Sequence, residues 1–593
     1  MKIIKIIGLV IFIFALGVFT FSMFSSQHQL TSDLIKEHIT DPSSQAAVLK
    51  AANSSGIFGE TYGTNFSFIS GLKDLFSNAN SQLGDKAIPN WQVDKYLIPL
   101  SKYSTAGPFG GNPNMAFWLS IMLGALGGLI YMLPDLGELA GIKNDGIYHH
   151  ASTKGITFNV KILFLSAALL YALWYTVFQF PLVLFFVGVV ALILFWIWKS
   201  EKSYNGARAR LASVNTSGWL GIAFGTYLIA FYVFLYFYPH YVTNWTLMLD
   251  PVAEAIKGPG GTASHWFLYG FLYCVIMVVM GVRMMIKYRH NKYQLVRTCS
   301  VLFFQLGFAF LIPEILVRLN QPYMDLKNAW PLDYDFYTKD SIGSLAGQGS
   351  EIALGGLSTS VGTIMLLWGI ALTFIVVPVF TYVFGKRWYC SWVCGCGGLA
   401  ETLGDPYRQL SDKSMRAWKI ERYVIHGVLA FAVLMTVGVL FQNYFGIKSF
   451  GLFSGSQLKS WYGFMIGAMF SGVVGTGFYP LMGNRVWCRF GCPLAGFLGL
   501  VQKFQSRFRI TTNGGQCISC GNCSTYCEMG IDVRAYAQRG QNIVRSSCVG
   551  CGVCSAVCPR GVLKLENGSS DIGERTTELK TIHISEGDLK ILS

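Results

Sequence analysis

Long apolar runs separated by short polar stretches set the organisation of this chain. Segments of roughly 17 to 24 such residues suffice to cross a bilayer's hydrocarbon core as a helix, and they recur at 3–24, 117–133, 160–178, 182–198, 219–238, 266–285, 301–319, 363–384, 425–441 and 461–481. About ten transmembrane helices are therefore expected. Only Gln179, Phe180 and Pro181 part the third from the fourth, which reads as a tight helical hairpin. The first run is long and no small-x-small cleavage site succeeds it, so residues 1–24 read as an uncleaved N-terminal anchor.

The polar stretches divide the rest. Residues 25–115 are rich in Ser, Asn and Gly and read as a segment outside the membrane, in the periplasm. Residues 116–362 are a membrane helical region, and 363–492 a second membrane region carrying cysteine motifs. In 493–511, Phe497, Val501, Phe504 and Phe508 share a helical face interleaved with Lys503, Arg507 and Arg509. This linker helix either lies in the interface or packs within the protein; both options tether the C-terminal residues to the membrane body. Residues 512–570 hold eight cysteines in a small α+β pattern, and 571–593 form a polar tail.

Composition agrees with a lipid environment: 52% of the 593 residues are hydrophobic and 13% charged. The net charge of +15 would suit a nucleic-acid partner if it formed one tract. Instead the cations alternate between loops, with clusters such as Lys199–Lys202–Arg208–Arg210 and Arg283–Lys287–Arg289–Lys292–Arg297 on one side and isolated lysines such as Lys257 on the other. This is the positive-inside bias of a multi-pass protein of the bacterial inner membrane, with its C-terminus in the cytoplasm. No nucleic-acid partner is expected. All fifteen cysteines lie at or beyond Cys274, so the outer segment has none to pair as disulfides.

The chemistry is concentrated near the C-terminus. Cys517, Cys520, Cys523 and Cys527 are followed, 31 positions on at every cysteine, by Cys548, Cys551, Cys554 and Cys558. The spacing C-x2-C-x2-C-x3-C, written twice, suits two [4Fe-4S] clusters, because three close thiolates wrap one cluster and the fourth reaches the other. One cluster would take Cys517, Cys520, Cys523 and Cys558, and the other Cys548, Cys551, Cys554 and Cys527. Glu528 stands where the second repeat has Pro559; a carboxylate there is expected to lower the potential of its neighbouring cluster.

A second repeat brackets two spans. Gly385-x-Arg387-x2-Cys390-x3-Cys394 matches Gly483-x-Arg485-x2-Cys488-x3-Cys492 at an offset of 98. Cysteines four apart share a helical face, so Cys390, Cys394, Cys488 and Cys492 are candidates for a further thiolate site holding a metal or cluster. Cys396 is an extra candidate without a counterpart, while Cys274 and Cys299 read as packing residues. Glu314, costly in lipid, is a candidate proton acceptor, with Arg318 one turn away as its ion-pair partner. His240, His265 and His426 do not make a convincing axial pair, and haem b is not expected.

Terminal ferredoxin run and paired C-x3-C motifs together make 363–565 resemble the NapH/NosR/CcoG group of polyferredoxin-like membrane proteins. The resemblance implies electron transfer between the quinone pool and a respiratory reductase or other redox protein partner. An assembly factor that reduces a metal such as copper for a respiratory complex is the alternative. Whether the chain is itself an enzyme stays open; the oxidoreductase role implied is that of the membrane subunit of a quinol dehydrogenase. The outer segment has no Ser-Gly-Ala-Thr motif, so no covalent flavin is expected. The fold class expected is thus a multi-pass all-α membrane protein with a small α+β two-cluster ferredoxin-like domain.

Overall fold

A computed structural model describes residues 2–24, 27–83, 87–137, 219–323, 357–446, 449–450 and 453–567, with short stretches between 330 and 354 and between 581 and 592. The chain is mostly helical. Among the described residues, six helices are long and apolar enough to cross a membrane: Ile3–Ser22, Pro113–Gly137, His265–Lys287, Lys292–Arg318, Val361–Phe384 and Met415–Phe445. The expected spans at 160–178 and 182–198 lie outside the described residues. The run at 219–238 forms the helix Trp219–Phe237. The run at 461–481 is helical from Gly455 through the π-helical Gly463–Val474 to Gly477, is interrupted at Phe478 and resumes as Tyr479–Met482. Pro480 and the glycine-rich sequence account for that break.

The N-terminal helix lies along Leu123–Met132 at very close range. A Cβ built on Gly8 would come 2.4 Å from the Tyr131 nitrogen, and one on Gly127 2.7 Å from the Phe12 nitrogen. Small residues are what allow two apolar helices to meet backbone to backbone. Lys5 closes one end of the pair on Asp135 at 2.5 Å.

Residues 27–112 build a separate helical unit. Helices Pro42–Ser55, Asn65–Leu83 and Asn90–Tyr103 bury Val48, Phe68, Leu72, Phe76, Leu97 and Leu100 as a core. Asp41 caps the first of these, accepting from the Ser44 amide at 2.8 Å, which satisfies a donor the helix cannot. The unit is fixed to the short helices after Phe237 by polar bonds. Asn65 donates to the Tyr241 carbonyl at 2.9 Å, and Lys102 meets Asp250 at 2.6 Å with its ammonium side chain only 6% exposed.

At the other end of the chain, Arg509–Thr512 pairs antiparallel with Leu563–Glu566, so the two ends of the ferredoxin-like domain are stitched together. Short helices Asn522–Thr525, Val533–Gln538 and Val553–Ala556 lie between them. Helix Pro493–Gln505 leads into this domain. Its buried face is Leu494, Ala495, Leu498, Gly499 and Gln502, while Phe504 of the other face is 71% exposed.

Candidate functional site

The two cysteine repeats fold alike. Ser519 and Gly550, one repeat apart, both take φ of 60°, and the loops between the first and second cysteines turn on them. Asn522–Thr525 and Val553–Ala556 then present Cys523 and Cys554 as equivalent buried thiols. The structure brings the eight cysteines into two groups. Cys517, Cys520 and Cys558 lie within electrostatic range of Cys523, and Cys527, Cys548 and Cys551 within range of Cys554. Cys523 also acts on Cys554, so the groups adjoin.

The first group lines a small open recess, and Ile518 at its rim is 53% exposed. The second group is enclosed by the helical body. Tyr293 donates to the Gly550 carbonyl (2.8 Å), Gln294 to that of Cys551 (2.8 Å), Ser391 to that of Val549 (2.8 Å) and Gln502 to that of Cys548 (2.8 Å). Thus four side chains from three elements, Tyr293 and Gln294 sharing the helix Lys292–Phe303, hold one loop by its backbone oxygens.

These residues suit iron–sulfur clusters. The recess framed by four thiols is one sign. The other is polar: Arg297 Nε and Tyr288 Oη are buried without a hydrogen-bond partner among the described residues, and the Cys551 sulfur lies within electrostatic range of both side chains. Donors aimed at an anionic sulfur-rich group would lose that orphan status. Burial pushes the free Cys523 thiol up to about 12 and Cys548 up to about 11, so ligation displaces protons.

The membrane-end cysteines form a third group. Cys390 closes the turn Arg387–Cys390 and Cys488 sits in the π-helical turn Trp487–Gly491. Cys394 and Cys492 occupy equivalent places, each at the N-cap of a following helix. Before both motifs the chain reverses on a glycine of positive φ, 65° at Gly385 and 92° at Gly483. A Cβ there would strike Gln502 at 2.5 Å or Ser411 at 2.2 Å, so glycine is required twice. Cys394 and Cys390 lie within electrostatic range of Cys492, as does Cys488. Cys396 hydrogen-bonds Cys394 and is open to an internal cavity.

That cavity holds about 800 Å³ and extends from Lys257 and Glu314 to Cys394, Cys396 and Cys488. Its walls are rich in tyrosine, including Tyr232, Tyr236, Tyr269 and Tyr273. Tyr273 donates to the Gly395 carbonyl at 2.9 Å, and Gln305, in the π-helical Phe304–Leu311, donates to the Val393 carbonyl. Glu314 is paired with Lys257 at 3.2 Å, so its ionic partner comes from the helix Asp250–Lys257 and not from Arg318. His240 is buried against Tyr241, while His265 stacks near Trp266 at the start of the next long helix.

Between the membrane-end thiols and the second ferredoxin group lies an ion network that residue spacing does not announce. Glu401 is gripped by Arg297, Arg408 and Arg485, and Glu528 by Arg408 (2.6 Å) and Arg485 (3.0 Å). Asp405 binds Arg408 (2.8 Å), Arg283 (2.9 Å) and Lys287 (2.7 Å). Burial alone would raise the Glu401 and Asp405 pKa values, yet the surrounding cations hold both well below the ordinary carboxylate range. Arg297, one of the loop cations, is at most 1% exposed, as are Arg408 and Arg485. Glu401, Asp405 and Arg408 stand four and three apart but fall on two elements, Gly395–Thr402 and Asp405–Leu410, so spacing carries no signal for them.

Comparison with known proteins agrees with the two kinds of motif. Residues 509–559 match a 4Fe-4S dicluster domain, and 366–414 and 462–511 each match a 4Fe-4S binding domain. YccM of Escherichia coli K12, whose name describes putative electron transport, is 26% identical over 156 residues, 25% of this chain and 43% of that protein. The methylamine utilization ferredoxin-type protein MauN of Methylobacillus flagellatus is 25% identical over 161 residues, covering 26% and 52%. MauN of Methylorubrum extorquens is 28% identical over 211 residues, covering 34% and 67%. The chain thus spans about half the length of the first two relatives. No solved structure matches it.

Proposed function

We propose that the chain is a membrane-bound iron–sulfur electron-transfer protein passing electrons between the quinone pool and a redox protein partner, in the manner of the NapH/NosR/CcoG group. In this reading Cys517, Cys520, Cys523 and Cys558 hold one [4Fe-4S] cluster, and Cys527, Cys548, Cys551 and Cys554 a second. Cys390, Cys394, Cys488 and Cys492 hold a third metal centre or cluster. Such clusters supply one-electron transfer when bound. The membrane is the bacterial inner membrane, with residues 512–570 on the cytoplasmic side and 25–115 outside.

The observation that carries the proposal is the sequence of sites: a large tyrosine-lined cavity ends on the membrane-end thiols, which are linked through Arg485, Glu528 and Arg408 to the second ferredoxin group, which adjoins the first. Its volume is within the usual range for small-molecule sites, about 300–1,000 Å³. A quinol has an apolar body and polar ring oxygens, and Tyr273 and Gln305 can orient such a ring near Cys394. The Glu314 carboxylate, held beside the Lys257 ammonium at 3.2 Å, can take a proton released on quinol oxidation.

The test is anaerobic purification of the full chain, metal and sulfide analysis, and EPR with dithionite and then a quinol analogue. Iron, acid-labile sulfide and cluster signals under both reductants are expected. Zinc without sulfide would overturn the proposal, and signals with dithionite alone would remove quinone from it. One observation favours the copper-reducing alternative: Cys396 adds a fifth sulfur to the membrane-end group and lines the cavity with Cys394 and Cys488, and thiols suit soft metals. Copper binding lost in Cys396→Ser, with no quinol-dependent signal, would select it.

A further inference from the structure

Arg408 and Arg485 divide their donors in the same unusual way. Arg485 gives Nε to Glu528 and Nη2 to Glu401, and its Nη1 reaches the Cys390 carbonyl (3.2 Å) and the Cys488 sulfur (3.6 Å). Arg408 gives Nε to Asp405 and Nη2 to Glu401, and its Nη1 reaches Glu528 (2.6 Å) and the Cys551 sulfur (3.9 Å). One guanidinium therefore faces a membrane-end thiol and the other a thiol of the second ferredoxin group. The same two carboxylates hold both.

We propose that Arg408 and Arg485 are positioning residues that set the reduction potentials of these two linked centres together, with Glu401 and Glu528 as their shared counter-ions. The proposal rests on the reading that both thiol groups ligate redox-active metal. A network serving only to dock the domain would need its cations on carboxylates and carbonyls alone. Here each fork also turns one nitrogen to a sulfur. Arginine suits this because its planar fork can grip a carboxylate and still present another donor, which lysine's point charge cannot do in the same geometry.

The direction of the effect is set by charge. Arg283, Lys287, Arg297, Arg408 and Arg485 are five cations facing the three carboxylates Glu401, Asp405 and Glu528. The positive surplus comes from Arg283 and Lys287, whose side chains are 28% and 22% exposed on the Asp405 side, while the Arg408 and Arg485 guanidiniums that reach the sulfurs are at most 1% exposed, where water screens little. Addition of an electron to a sulfur-ligated centre beside them is therefore favoured. Glu528, beside the ferredoxin thiols, acts in the opposite direction but only through what the two arginines leave uncompensated.

The experiment is an EPR-monitored redox titration of the full-length, anaerobically purified protein carrying Arg408→Gln, Arg408→Lys, Arg485→Gln, Arg485→Lys or Glu528→Gln, with iron and sulfide measured in each. The Gln variants of arginine are expected to lower the midpoints at least tenfold in the equilibrium for one-electron reduction, about 59 mV. Arg408 acts more on the ferredoxin signal and Arg485 more on the membrane-end signal. The Lys variants recover part of the shift, and Glu528→Gln moves the midpoints upward. Unchanged midpoints in arginine variants that retain their iron would overturn the proposal. Should those variants lose iron, Glu528→Gln decides: a higher midpoint supports it, and an unchanged or lower one overturns it. A wild-type chain without iron and sulfide removes the electron-transfer reading beneath the proposal as well.

Discussion

His28 shows how a single buried residue makes part of this protein pH-sensitive. It is fully buried, stacks on Phe68 at 5.1 Å, and its Nδ1 lies 3.4 Å from the Ser104 hydroxyl. Desolvation lowers its pKa from 6.5 to about 4, outweighing a backbone hydrogen bond that raises it. Below pH 6.5 the unfolded chain binds a proton that the folded unit refuses, so stability falls with falling pH until about 4 and then levels. The full shift corresponds to about 3 kcal/mol. A pH series of hydrogen exchange over residues 27–112 is expected to show rising local opening between pH 6.5 and 4, with a smaller slope in His28→Gln. A slope unaffected by that substitution would contradict the account. His240, at the docking surface of the same unit, is depressed further by burial and by Lys73 and supplies the remaining slope.

At the scale of elements, close packing rests on glycines, and the N-terminal helix pair is the clearest case. With the Gly127 Cβ position 2.7 Å from backbone, Gly127→Leu is expected to separate Lys2–Ser22 from Leu123–Met132. Overpacking of this kind costs roughly 1–3 kcal/mol or more. A lower thermal midpoint in detergent, with Gly17→Leu as a neutral comparison because its Cβ position is open, would check it. Why some elements are legible in the sequence and others are not comes down to the same physics. Cysteine spacing dictates which thiols can meet, so Cys517 to Cys558 can be grouped without coordinates. Apolar length identifies Ile3–Ser22 or Val361–Phe384, because lipid demands an uninterrupted hydrogen-bonded helix. The run at 461–481 satisfies the same apolar pattern, yet its helix stops at Gly477 and restarts at Tyr479, since hydropathy carries no record of backbone geometry. The buried network is hidden because Arg408 and Glu528 are 120 positions apart, and a charged residue in a short polar stretch looks the same whether it meets water or a partner.

For the whole molecule, the unequal exposure of the thiol groups gives the proposed electron path a direction of access. The group at Cys548, Cys551 and Cys554 is held against the body by Tyr293, Gln294, Ser391 and Gln502, so a soluble protein cannot approach it from that side. The group at Cys517, Cys520, Cys523 and Cys558 has an open recess with Ile518 and Arg560 exposed at its rim. Exchange with a soluble partner is therefore expected to run through the exposed group, and exchange with a lipid-soluble donor through the cavity. Cys520→Ser separates these routes. It is expected to slow oxidation by a soluble protein acceptor at least tenfold while leaving quinol-dependent reduction of the remaining centres, read by EPR, near the wild-type rate. Equal loss of both would mean that the groups do not act in series, and retention of fast soluble exchange would mean that partners reach the enclosed group directly. The stepwise arrangement also explains why the enclosed loop is bound mainly through its carbonyls: holding backbone fixes the spacing between body and domain, and Arg408, 3.9 Å from the Cys551 sulfur, adds charge there.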